Sequence, residues 1–122
     1  MTADELFNIV IGLMFAQEDE KPDYTPYIPM LNIILAETFP LNNALRDLRE
    51  KEPLLKLVTV SGLTDEIPYE EDILYKVIPY GVAGMLYAED DDTGLGSYYR
   101  QKYEAAKAEI TTARFEEAEF NV

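Results

Sequence analysis

Seven prolines, at positions 22, 26, 29, 40, 53, 68 and 79, set the limits within which this chain can build regular structure. A proline has no backbone N–H and its ring crowds the turn before it, so each one opens, kinks or ends a helix. Between them the apolar residues recur at helical spacing. Leu6, Ile9, Val10, Leu13 and Met14 form one stripe, widened by Phe7, Ile11 and Phe15, which predicts a first helix over 3–17. Thr2 and Glu5 stand ahead of it with the spacing of a capping box. The acidic connector Gln17 to Tyr24, with Pro22 inside it, follows.

Thr25 and Pro26 suit the start of a second helix, and Pro29 still falls in its first turn. Met30, Ile33, Ile34 and Leu35 give it an apolar face, and a kink or break is predicted at Phe39–Pro40. A further piece over about 41–51 turns Leu41, Ala44, Leu45 and Leu48 inward. A third helix is expected over about 69–89, with Glu70, Glu71 and Asp72 in a first turn whose dipole favours negative charge and with Pro79 bending it. A fourth, over about 95–117, lines up Leu95, Tyr99, Tyr103, Ala106, Ile110 and Ala113. The last residues, Phe115 to Val122, read as a flexible arm.

Pro53 and Pro68 bracket something else. Leu57, Val58, Thr59 and Val60 favour extended backbone, and no other run of this kind occurs. Such a segment pairs with a short stretch elsewhere, with a neighbouring subunit, or lies as an extended loop. The prediction is therefore a single all-α domain over 1–122. It is a bundle of three to four helices, with a long, partly extended loop or short β segment between the second and third.

The side-chain inventory narrows the function. There is neither cysteine nor histidine, which removes the thiolate nucleophile, the commonest general base and the commonest transition-metal ligands. Serine occurs only at Ser61 and Ser97, without a nucleophile elbow. The turn Glu89 to Gly94 resembles the start of a calcium loop, but its twelfth position is Arg100, so it reads as a solvated connector. Asp65 with Glu66, and the acids of the third helix, could pair for acid–base work, yet capping and solvation explain them better. No cofactor and no catalytic residue is expected, and the chain is read as a non-enzyme.

Acids outnumber bases 24 to 10, for a formal charge of −14. Such a surface repels phosphate backbones and anionic membranes, so neither sequence-specific nucleic-acid binding nor membrane docking is expected. The apolar run Leu6 to Ala16 is too short to span a bilayer and is preceded by acids rather than the bases of a signal peptide. Nine tyrosines are mostly expected at the core boundary with wet hydroxyls, Tyr98 and Tyr99 on different faces. Candidate partner contacts are Val58, Val60, Tyr98, Phe115 and Phe120.

One order of features carries a resemblance. It runs through Gly62-Leu-Thr-Asp-Glu-Ile-Pro-Tyr69, Ile73-Leu74, Ile78-Pro-Tyr-Gly-Val-Ala83, Leu86-Tyr-Ala-Glu-Asp-Asp91, Tyr98-Tyr99 and Tyr103-Glu-Ala-Ala106. Over about 30–110 the chain resembles head-to-tail connector proteins of tailed bacteriophages and prophages, also called portal adaptors or head-completion proteins. The first helix departs from that pattern. Membership would imply a helical bundle that docks as a ring under the portal protein, extends the DNA channel and offers a surface to the next neck or tail protein. It would place the chain in the virion neck, and in the bacterial host cytoplasm during assembly. Segment 54–60 would then pair with the neighbouring copy, and the arm 115–122 would order on the portal. The alternative is an acidic helical protein-binding module, such as an inhibitor or DNA mimic.

Overall fold

The computed structural model describes residues 1–14 and 25–120, with side chains described as far as residue 112. Its order is α1 (Ala3–Leu13), α2 (Tyr27–Leu48), α3 (Glu71–Lys76), α4 (Ile78–Glu89) and α5 (Thr93–Phe120). Since α3 and α4 are two pieces of one interrupted rod, the fold is an all-α bundle of four rods. Helix α1 forms where the first helix was expected but is already capped at Met14, and residues 15–17 of the expected helix, with the acidic connector after it, lie outside the described residues.

A strongly apolar helix, α4, sits in the middle. In α4, Ile78, Pro79, Gly81, Val82, Ala83, Gly84 and Leu86 are all buried, so most of it is covered, and only Ala88 and Glu89 at its end are exposed. It packs against α1, α2, α3 and α5. Small residues allow the closest of these approaches. A methyl group on Gly84 would lie 3.2 Å from the backbone of Arg100 and of Gly96, and one on Gly81 would lie 2.9 Å from Ile34 and Tyr103.

The break at Pro40 and the simple bend at Pro79 both need correction. The second helix does not break at Phe39–Pro40; α2 runs through Pro40 to Leu48. Pro40 and Ala36, whose carbonyl loses its partner, are both exposed, so water can replace the missing bond. Leu35, Thr38, Asn42 and Leu45 on the other face are buried and hold the rod together. Conversely, the third helix does not merely bend at Pro79. It resets at Val77 (φ −117°, ψ −60°), which places Pro79 in the first turn of α4, where a missing N–H costs nothing.

Two helices end on the same device. At the end of α2, Lys51 N–H donates to Arg46 C=O and Glu50 N–H to Asp47 C=O. At the end of α4, Asp92 N–H donates to Tyr87 C=O and Asp91 N–H to Ala88 C=O. These are Schellman caps, and they force Glu50 (φ 57°) and Asp91 (φ 61°) into the left-handed region that glycine usually fills. Asp92 then starts α5, its carboxylate accepting from Leu95 N–H at 3.1 Å. The acidic turn is thus a stop and a start for helices. Helix α5 continues to Phe120, so the backbone of the expected arm is helical over 115–120.

Candidate docking surface

The excursion between α2 and α3 is the least ordinary part of the molecule. No strand forms in it; among the described residues the one β contact is an antiparallel bridge between Thr2 and Glu66. Its backbone groups are satisfied by side-chain amides of α2 instead. Asn43 accepts from Leu54 N–H at 2.8 Å and donates to Leu54 C=O at 3.0 Å. Asn32 does the same for Val60, at 2.8 and 2.9 Å. Each amide presents one donor and one acceptor side by side, as a neighbouring strand would.

The spacing of the two clamps explains why this works. Residues eleven apart on a helix are three turns apart, on the same face and about 16 Å along the axis. The six steps from Leu54 to Val60 span at most about 20 Å. The segment therefore runs back along α2, and a bend at 55–56 takes up the slack. Leu55 is carried outward to 92% exposure and Leu57 to 53%, and Ile33, beside Asn32, is 48% exposed.

The corner before this segment is fixed by one sheltered carboxylate. Glu70, 6% exposed, lies 2.9 Å from Lys51, 3.1 Å from Arg49 and 3.4 Å from Arg46. Its backbone N–H donates to buried Asn42 at 2.8 Å. Arg49 also reaches Asp72 at 3.3 Å. Burial pushes the Glu70 carboxyl up, but the hydrogen bonds and charges of Lys51 and Arg49 more than offset this and hold it below its ordinary value. The after-turn on Glu50 is what brings Lys51 back to it.

The loop 62–67 closes the other end. Carbonyls of Asp65 and Leu63 accept from the free N–H groups of Ala3 and Asp4, both at 2.9 Å, and so cap α1. Asp65 itself accepts from Ser61 N–H at 2.7 Å, Ser61 hydroxyl at 3.1 Å and Gly62 N–H at 3.3 Å. Those bonds hold its carboxyl below the usual range, which suits a turn staple and not a proton donor. The Thr2–Glu5 capping box forms as expected.

Among the described residues, five tyrosine hydroxyls tie parts of the fold together rather than facing water. Tyr27 donates to Ala3 C=O at 2.7 Å, and Tyr69 to Leu35 C=O. Tyr99 and Tyr87 donate to Leu13 and Met14 C=O, both at 3.1 Å, and so satisfy the end of α1. Tyr103 donates to Glu37 at 2.8 Å. Tyr98 and Tyr99 do face apart: Tyr99 is buried, and Tyr98 is 49% exposed.

Of the five expected contact residues, three have described side chains. Val58 is half-buried and packs against the core. Val60 is buried at 4%, with both backbone groups taken by Asn32, so its side chain and its ladder groups are closed to a neighbour. Tyr98 lies on the outer side of α5, and the side chains of Phe115 and Phe120 lie outside the described ones. Sequence reading overlooked Leu55, Leu57 and the two clamping asparagines; the signal available was a polar residue at each end of an otherwise apolar face of α2. Among the described residues no helix is long and apolar enough to cross a membrane, and no three metal-ligating side chains gather. In comparison with known proteins, no family model, no curated protein and no solved structure matches the chain.

Proposed function

We propose that this chain is a structural assembly protein of a tailed-phage neck. Its copies stand as a ring between portal and tail and prolong the DNA channel. The observation that supports it best is the segment 54–60. Two amides and a three-cation grip on Glu70 are committed to holding an extended stretch in place, and the result is Leu55 and Leu57 turned to solvent. Exposed aliphatics held on a rigid frame suit a docking contact, since little ordering entropy remains to be lost. On this reading they face the portal. The charge of −14 gives a channel wall that DNA slides past without sticking. No cofactor or catalytic group has a part, and the remaining partners are neighbouring copies and the next neck or tail protein.

The acidic-module alternative needs carboxylates free on one rigid face. Glu5, Asp65 and Asp92 are instead committed to backbone N–H groups, and Glu70 to three cations. Electron microscopy of portal particles mixed with the protein tests the proposal. A ring of extra density at the tail-facing end of the portal is expected; bare portals at saturating protein would refute it.

A further inference from the structure

Among the described residues, most cations of this acidic protein are engaged. Arg46, Arg49 and Lys51 hold Glu70, Lys76 reaches Asp72, Arg100 bridges Glu37 and Glu104, and Lys107 meets Glu104. Among the described residues, Lys102 and Lys56 have no carboxylate partner. Lys102 lies over two rings instead, its Nζ 5.1 Å from the centre of Tyr98 and 5.9 Å from that of Tyr80. With so many carboxylates in the chain, an ammonium left to aromatic faces is a receptor for one supplied from outside.

Lys102 also lines a groove of about 440 Å³ between α3, the start of α4, and α5. Tyr75, 57% exposed, and Tyr80 form one side, Ala106 and Ile110 belong to the α5 side, and Lys76 stands on the α3 side. Asp72 in the groove is already engaged by Arg49 and Lys76. Glu109 also lines the groove and repels carboxylates, so the acids of an occupant belong at Lys102, about two turns away on α5. Cations around an apolar, small-residue wall suit an acidic helical segment with aromatic anchors.

The sequence offers an acidic segment with aromatic anchors, Phe115-Glu-Glu-Ala-Glu-Phe-Asn-Val122, whose backbone is helical over 115–120. The chain's own copy cannot fill the groove. Helix α5 runs unbroken to Phe120, and ten residues beyond Ile110 is about 15 Å further along the same axis. We propose that the groove receives segment 115–122 of a second copy, with Lys102 pairing with its glutamates and its phenylalanines packing on Tyr75, Tyr80 and Ile110. Groove and tail are unlike patches, so the contact is head to tail and builds rings or filaments. This rests on the ring reading above and specifies one of its contacts.

The test is a titration of synthetic peptide 113–122 into the isotope-labelled full chain, followed by amide chemical shifts. Saturable shifts at Tyr75, Tyr80, Lys102 and Ala106 are expected. Lys102→Glu should weaken binding by about tenfold, and Lys56→Glu should leave it unchanged. Absence of shifts at millimolar peptide, shifts elsewhere, or binding indifferent to Lys102→Glu would overturn the contact. The two readings can fail separately. Portal rings formed normally by Lys102→Glu protein would remove the groove contact and keep the adaptor. Groove binding of the peptide without any portal ring would keep the contact and count against the adaptor.

Discussion

Asn32, Asn43 and Glu70 decide where the excursion lies, and each can be tested singly. Asn32→Ala leaves the N–H and C=O of Val60 without partners, at a cost of about 1–3 kcal/mol. A lower urea midpoint is expected, together with faster amide exchange at Val60 than at the α4 core. Glu70 makes stability depend on acid. Its folded value lies below the ordinary 4.5, so its contribution is full above that value and disappears as pH falls through the lowered one. Glu70→Gln should destabilise the protein at neutral pH and flatten the acid limb of its stability profile, read by urea unfolding across pH. Little of this was legible. Glu70, Glu71 and Asp72 read alike as first-turn acids, because sequence does not tell which one faces three cations. Asparagines that stand in for a strand leave no periodic trace either.

At the scale of elements, apolar stripes and prolines located the helices well and their ends poorly. Burial on one face carried α2 past Pro40, an effect that depends on what packs against it. The caps were hidden because Glu50 and Asp91 occupy positions where glycine is the usual sign. Glu50→Gly should relieve left-handed strain and stabilise the fold by about 1 kcal/mol in urea unfolding. Gly84→Ala should do the opposite, since its methyl meets backbone at 3.2 Å, and a loss of about 1–3 kcal/mol is expected despite the better helix propensity of alanine.

At the scale of the molecule, the tyrosine ties join α1 to α2, α4 and α5. Burial raises Tyr69 to about 12, and it also raises Tyr27 and Tyr103, helped by the charges of Asp4 and Glu37 respectively. Raised values mean that their contribution is complete below the unfolded value of 10.0 and is lost as pH climbs above it. The last part of the tyrosinate absorbance rise in a base titration should therefore coincide with loss of far-ultraviolet dichroism; ionisation of all nine tyrosines with helices intact would contradict the packing. The all-α class was legible because helical spacing runs along most of the chain. The docking surface was not, since the exposure of Leu55 and Leu57 arises only once the segment is clamped to α2. Co-sedimentation with portal particles tests that surface most directly, comparing the parent chain with a Leu55→Asp, Leu57→Asp variant shown by dichroism to be folded. The parent should pellet with portal and the variant should stay in the supernatant; equal pelleting of a folded variant would contradict docking through segment 54–60.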